Sequence, residues 1–250
     1  MYYLILSLPL AFFFSRLFFT NYAVPTLKKR HLRKLIATRV NAKAIFEVER
    51  FLNFLFKKNY SKTLSRIHRL LKYNNNREFI YGEIDLLAFH NIIEKSEPKN
   101  GEVFYDLGSG AGKAVFSAAL YFDFKLCFGV ELMDVLYKKS LTHLDEAKYL
   151  LKRRAFPEEM YSHKLSKIRF VKSDFLTHDF SDADIIYLAA TCLSDDTFRH
   201  LINKIGMTKI GTRVIVATRQ IYHDAFELVY DGVELMGWGL CHLRIYRRTS

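Results

Sequence analysis

From Leu32 to Leu71 apolar residues recur three or four positions apart: Ile36, Val40, Ala44, Val48, Leu52 and Leu55, then Leu64, Ile67 and Leu71. That spacing predicts a helical segment with one apolar stripe, its other faces filled by Lys and Arg. Asn74-Asn75-Asn76 reads as a break, and beyond it the period changes. Residues 103–107, 125–131, 168–172, 185–188 and 213–218 are short apolar runs of strand length, with helical spacing between them, as in 85–95 and 113–121. Alternating strand and helix predicts a parallel α/β sheet covered on both faces. Residues 233–237 and 241–247 flank Trp238-Gly239-Leu240 and predict a closing hairpin, which brings the Rossmann-like sheet to seven strands.

The ends of this pattern differ in charge. Residues 1–25 hold a single charge, Arg16, and the cations follow as Lys28-Lys29-Arg30-His31-Leu32-Arg33-Lys34. A secretory signal carries its positive charge before the apolar stretch, so this order fits a membrane anchor with a cytoplasmic basic flank better. The charge-free part is 15 residues, whereas a full span needs ~20, so a buried or shallow interfacial helix is the alternative. The formal net charge of +12 has one location. Residues 28–77 hold 15 Lys and Arg against Glu47 and Glu49, while residues 78–250 hold 22 basic and 24 acidic groups. Three segments are therefore expected: an apolar 1–25, a basic helical 26–77 and a catalytic body 78–250. The basic segment suits an anionic membrane surface or an acidic partner, and nucleic acid is not required.

A chain that is half hydrophobic and 26% charged is neither disordered nor a multi-spanning membrane protein. Cys127, Cys192 and Cys241 are odd in number, lack metal-ligand spacing and read as reduced residues of a cytoplasmic body. The nine histidines are scattered, and no metal constellation is expected.

The chemistry lies at the predicted strand ends. Asp106-Leu107-Gly108-Ser109-Gly110-Ala111-Gly112 joins the first strand to its helix, and glycines there let a ligand approach the backbone. A dinucleotide fingerprint would place its third glycine at Lys113. An acid at Asp106 would repel a pyrophosphate and suits a cation, which favours S-adenosylmethionine over a nicotinamide dinucleotide. Glu131, 19 residues beyond Gly112, ends the second strand, where a carboxylate can take both ribose hydroxyls. Asp174-Phe175 follows the third, an acid for the adenine amino group beside a ring able to stack on the base. Singly, these features read as a turn, a surface acid and a helix cap; in order along one sheet edge they point to a methyltransferase.

Residues 104–113, Gly129-Val130-Glu131, Asp174-Phe175 and the upstream Tyr81-Gly82-Glu83 resemble the non-SET histone lysine methyltransferases, the disruptor-of-telomeric-silencing family. The resemblance implies that Tyr81, Gly82, Glu83 and Ile84, then Phe104, Asp106, Gly108, Ser109, Gly110, Gly112 and Lys113, and finally Glu131, Asp174 and Phe175 bind S-adenosylmethionine. It also implies methylation of a protein lysine. Tyr81 and Glu83 would roof the donor, while Thr191, Phe175 and Tyr187 would line the acceptor channel; Tyr187 reads equally as strand core. Two departures concern the acceptor: Ala189-Ala190-Thr191 stands where the family has Asn-Asn-Phe, and the basic tract precedes the domain. The apolar start also resembles the membrane-anchored lysine methyltransferases of mitochondria. RNA or small-molecule methylation, or a non-catalytic donor-binding scaffold, are the alternatives.

Overall fold

The computed structural model describes residues 24–57, 60–153 and 158–250. Helices α1 (Val24–Ala37), α2 (Ala42–Leu55) and α3 (Ser61–Lys72) divide the N-terminal periodicity. The turns between them reset the helical phase, so the sequence stripe is not one face. Val40 sits in the first turn and is fully exposed, whereas α2 buries Ile45, Val48, Phe51, Leu52 and Leu55. Phe51 stacks on Tyr161 (5.5 Å between centroids), so α2 shares the core of the residues that follow. Arg33 donates twice to the Glu49 carboxylate (2.9 and 2.7 Å), tying α1 to α2.

After a single 3-10 turn (Arg77–Phe79) and an extended strap comes α4 (Leu86–Lys95), capped by Asp85, whose Oδ1 accepts the N–H groups of Leu87 and Ala88. The body continues as β1 (Val103–Leu107), α5 (Lys113–Tyr121), β2 (Leu126–Glu131), α6 (Asp134–Lys152), α7 (Glu158–Leu165) and β3 (Ile168–Lys172). It ends with β4 (Ile185–Leu188), α8 (Asp195–Ile205), β5 (Arg213–Ala217), β6 (Phe226–Met236) and β7 (Gly239–Arg248). The seven strands lie in the order β3-β2-β1-β4-β5-β7-β6, parallel except that β7 runs antiparallel to both neighbours. The Rossmann-like sheet expected from the sequence is thus present.

Alternate strand residues feed two cores. Phe104, Cys127, Ile185, Tyr187 and Ile215 pack with α2, α4 and α5, while Tyr105, Leu107, Ile186, Leu188 and Val214 pack with α8. The β6–β7 hairpin is longer than residues 233–247, because 226–232 form a partly exposed stretch with a register shift at Leu228/Tyr230 that masks a period of two. Among the described residues no helix is long and apolar enough to cross a membrane, and the anchor expected over 1–25 falls almost entirely outside them.

Candidate active site

Between β1 and β4 the strand order reverses, which opens a crevice at the carboxyl edge of the sheet. The glycine loop floors it. Gly108 and Ser109 N–H both donate to the Val130 carbonyl (2.9 and 3.0 Å), fixing the loop to β2. Gly110 and Gly112 take positive φ (+55° and +91°), and a Cβ on them would lie 2.1 Å from the Tyr81 ring and 2.5 Å from the Phe170 ring. The sequence needs glycine at both for conformation and for space. His143 on α6 holds the loop from behind, its Nδ1 lying 3.1 Å from the Ala111 carbonyl.

Two carboxylates lie under this loop. Glu131 accepts from the Gly110 N–H at Oε2 and the Met133 N–H at Oε1, each at 2.7 Å. These bonds favour its ionised form, but burial prevails and lifts its pKa to about 7. Asp106 is buried with Oδ1 unpartnered; burial, reinforced by the Glu131 charge, raises its pKa well above the usual carboxylate range. The Ser109 and Tyr187 hydroxyls beside it are likewise buried without partners. A buried polar group without a partner costs stability, so a cluster of them marks a place for a ligand.

The roof is the strap 77–84. Ser194 N–H donates to Glu78 Oε1 (2.6 Å), and Phe79 stacks on Tyr73 (4.1 Å). At the other end Gly237 N–H donates to the Glu83 carbonyl (2.8 Å), and the Trp238 ring lies so close that a Cβ on Gly82 would meet it at 2.7 Å. Tyr81 donates its hydroxyl to Glu83 Oε1 (3.3 Å), and Lys113 Nζ lies 3.5 Å from Glu83 Oε2.

The cleft beneath has two lobes. The wide one is lined by Phe79, Leu132, Asp174 and Phe175 with Glu131 at its base, and the narrow one by Asp106, Ser109, Tyr81, Tyr187, Ala189 and Trp238. Ile84 and Lys113 also line the narrow lobe, while Gly82 and Gly108 border both. Asp174 caps its own turn, with Oδ1 accepting the Leu176 N–H (2.8 Å), as well as lining the cleft.

Four expected residues do not line the cleft: Gly110 and Gly112 shape the loop from beneath, against Tyr81 and Phe170 respectively, and two others lie away from it. Phe104 points into the core against Phe89 and Phe124, because its place on β1 puts it one full pleat below Asp106, away from the sheet edge. Thr191 is exposed and bonded to Thr218 Oγ1 (2.9 Å), because a short 3-10 turn (Ala190–Cys192) carries it off the strand axis. Tyr187 is both strand core and the inner wall of the narrow lobe. Trp238, Ala189 and Glu78 were missed. A lone Trp between two glycines and an Ala where the resembled family has Asn were the sequence signals for the first two.

The donor predicted from the sequence can be tested on these groups. An unpartnered buried carboxylate suits a cationic amino acid, Lys113 beside the loop suits its carboxylate, and Glu131 and Asp174-Phe175 bound a nucleoside-sized lobe. The residues present fit S-adenosylmethionine.

A sheet reversed only at β7, with an acid rather than a phosphate cradle at its switch point, defines a protein of the S-adenosylmethionine-dependent methyltransferase class. TrmN from Thermus thermophilus shares the fold, with a TM-score of 0.51 at 18% identity over 74% of this chain and 53% of that one. Residues 60–237 match the family model described as Histone methylation protein DOT1, and the chain belongs to that family. It is 35% identical over 187 residues to a protein of Kluyveromyces lactis named histone-lysine N-methyltransferase, H3 lysine-79 specific. It is 32% identical over 189 residues to a protein of the same name in Eremothecium gossypii. Each alignment covers 74% of this chain and 32% of the relative, so the chain spans about a third of their length.

Proposed function

We propose that the chain is a protein-lysine N-methyltransferase that binds S-adenosylmethionine in this cleft and methylates a lysine of a partner protein. The observation that carries the reading is the narrow lobe, where the unpartnered Asp106 carboxylate meets an aromatic wall of Tyr81, Tyr187 and Trp238. When bound, the donor supplies a methyl group on a sulfonium. The lysine nitrogen's lone pair would take that methyl group, with the S–C bonding electrons left on sulfur as a neutral thioether.

The protein's part is to position the amine and keep it neutral. A lysine with an ordinary pKa of about 10.4 must first release its proton to water. The aromatic wall of Tyr81, Tyr187 and Trp238 favours the neutral amine, and so does a nearby sulfonium. No strong base is needed, which fits a lobe whose acids lie on the donor side. Asp106 and Glu131 hold the donor's cationic and ribose ends, Lys113 its carboxylate, and Tyr81 and Glu83 exclude water from above.

The excess of acids over bases in residues 78–250 suits a basic substrate, and the names of the fungal relatives make histone H3 the first candidate. The catalytic body is assigned to the cytoplasmic side, with residues 1–25 as its anchor; the cations after them support that orientation. Incubating the full chain with methyl-labelled donor and, separately, nucleosomes, free histones, a membrane fraction and total RNA tests the proposal. Label on protein lysine is expected. Label confined to RNA, or none in any fraction, would overturn it.

A further inference from the structure

Helix α3 is turned inside out. Its inward face is serine: Ser61 and Ser65 are buried, and Ser65 Oγ donates to the Phe79 carbonyl (3.3 Å). Its aliphatic side chains point away from the protein, with Ile67, Leu70 and Leu71 exposed by 50, 53 and 79%. At 3.6 residues per turn these three and the half-buried Leu64 span about 120° of the helix, and Lys62 and Arg66 occupy the adjoining sector. The helix has no acidic residue. Neither has α1, which exposes Leu27 and Leu35 among Lys28, Arg30 and Lys34.

We propose that the outward face of α3 docks on an anionic lipid bilayer. A continuous aliphatic sector beside cations on an acid-free helix matches the headgroup boundary, where Leu and Ile enter the acyl region and Lys and Arg meet lipid phosphates. Nucleic acid fits less well, since phosphate contacts use cations and hydrogen bonds and would leave Leu71 and Leu70 in water. A second copy fits less well too, because α3 against α3 would bring together two helices that carry Lys62 and Arg66 and no acid to pair with them. The turn at Asn74 and Asn75, both at positive φ, joins α3 to the strap over the cleft, so docking here holds the cleft rim at the bilayer surface. Docking through α3 requires neither methyl transfer nor an anchor in residues 1–25.

The test uses the full chain with vesicles of phosphatidylcholine alone or with 30% phosphatidylserine, followed by sedimentation and by amide hydrogen exchange over residues 61–72. Exchange over α3 should slow at least tenfold with the anionic vesicles and stay unchanged with neutral vesicles or duplex DNA. Ile67→Asp/Leu71→Asp should abolish that protection while leaving S-adenosylhomocysteine affinity within twofold, which shows the variant folded. Phe13→Asp, placed in the apolar start, should leave it intact. Unchanged exchange over α3 with anionic vesicles, or protection that survives the double substitution, would overturn the proposal, as would protection by DNA but not by lipid. Retained sedimentation in Phe13→Asp together with retained α3 protection would sink the anchor and leave α3 standing.

Discussion

Gly110→Ala probes the roof most directly, because the new Cβ would lie 2.1 Å from Tyr81 Cε2 and 2.6 Å from Cδ2. Two costs arise and can be separated. Holding an alanine at φ +55° costs about 1–2 kcal/mol whatever surrounds it. The ring must also withdraw by more than an ångström to reach ordinary contact, which pulls Tyr81 off the loop and opens the narrow lobe. Gly101→Ala isolates the first cost, since Gly101 has φ +83° and a Cβ there would meet nothing within 4 Å. Gly101→Ala should lose about 2–8 °C in Tm by calorimetry, at ~2–4 °C per kcal/mol for a chain of this size, and Gly110→Ala should lose more.

Only Gly110→Ala should weaken S-adenosylhomocysteine binding, at least tenfold or about 1.4 kcal/mol in titration calorimetry. Adding Tyr81→Ala removes the clash, so the double variant should be more stable than the sum of the single losses by about 0.5–3 kcal/mol, while its affinity stays low. Affinity within twofold of the parent in Gly110→Ala, or strict additivity of the stability losses, would refute the roof.

Asp106→Asn removes a buried carboxylate that lacks a partner at Oδ1, so its Tm should rise while donor affinity falls at least tenfold; a fall in both would mean the acid serves the fold. The Glu131 pKa of about 7 against 4.5 in an unfolded chain means the folded protein holds the extra proton between those values, so stability should fall as pH rises from about 4.5 to 7. Donor binding favours the carboxylate, so affinity should rise over the upper part of that window with proton release, read by calorimetry in buffers of different ionisation enthalpy; no release near pH 6.5 would count against it. Trp238→Ala leaves Gly82 unpacked, and should raise the KM for the donor several-fold and speed hydrogen exchange over residues 81–84; unchanged exchange would show that the hairpin does not hold the strap. Phe104→Ala should cost about 3–5 kcal/mol in denaturant unfolding with donor affinity retained, the reverse of a binding residue.

The sheet was legible because its strands are short apolar runs bounded by breaks, and β1, β3 and β4 end where the runs end. The N-terminal helices were legible as helices but not as faces. A period of 3.6 carries phase only while the helix is continuous, and the turns at residues 38–41 and 56–57 interrupt it, so α2 and α3 take different orientations. Val48 and Leu52 therefore reach the core, while Ile67 and Leu71, continuing the same count, reach solvent.

The floor of the site was legible for a related reason. Asp106, Gly110 and Gly112 are held by one turn, and a turn's requirements are written in adjacent residues. The roof depends on pairings that no local rule contains: Glu78 with Ser194, Gly82 with Trp238, and Glu83 with both Lys113 and Gly237. Each joins the strap to an element 30 to 156 residues away, and each is set by how β4, α5 and the β6–β7 hairpin converge on one sheet edge. Thr191 shows the same limit from the other side, since the strand end predicted its place and a single 3-10 turn moved it to Thr218. Ala189, one step earlier, keeps the strand direction and stays in the cleft. There it meets Trp238 of the β6–β7 hairpin, so this wall of the narrow lobe is closed by two elements that only the tertiary fold brings together.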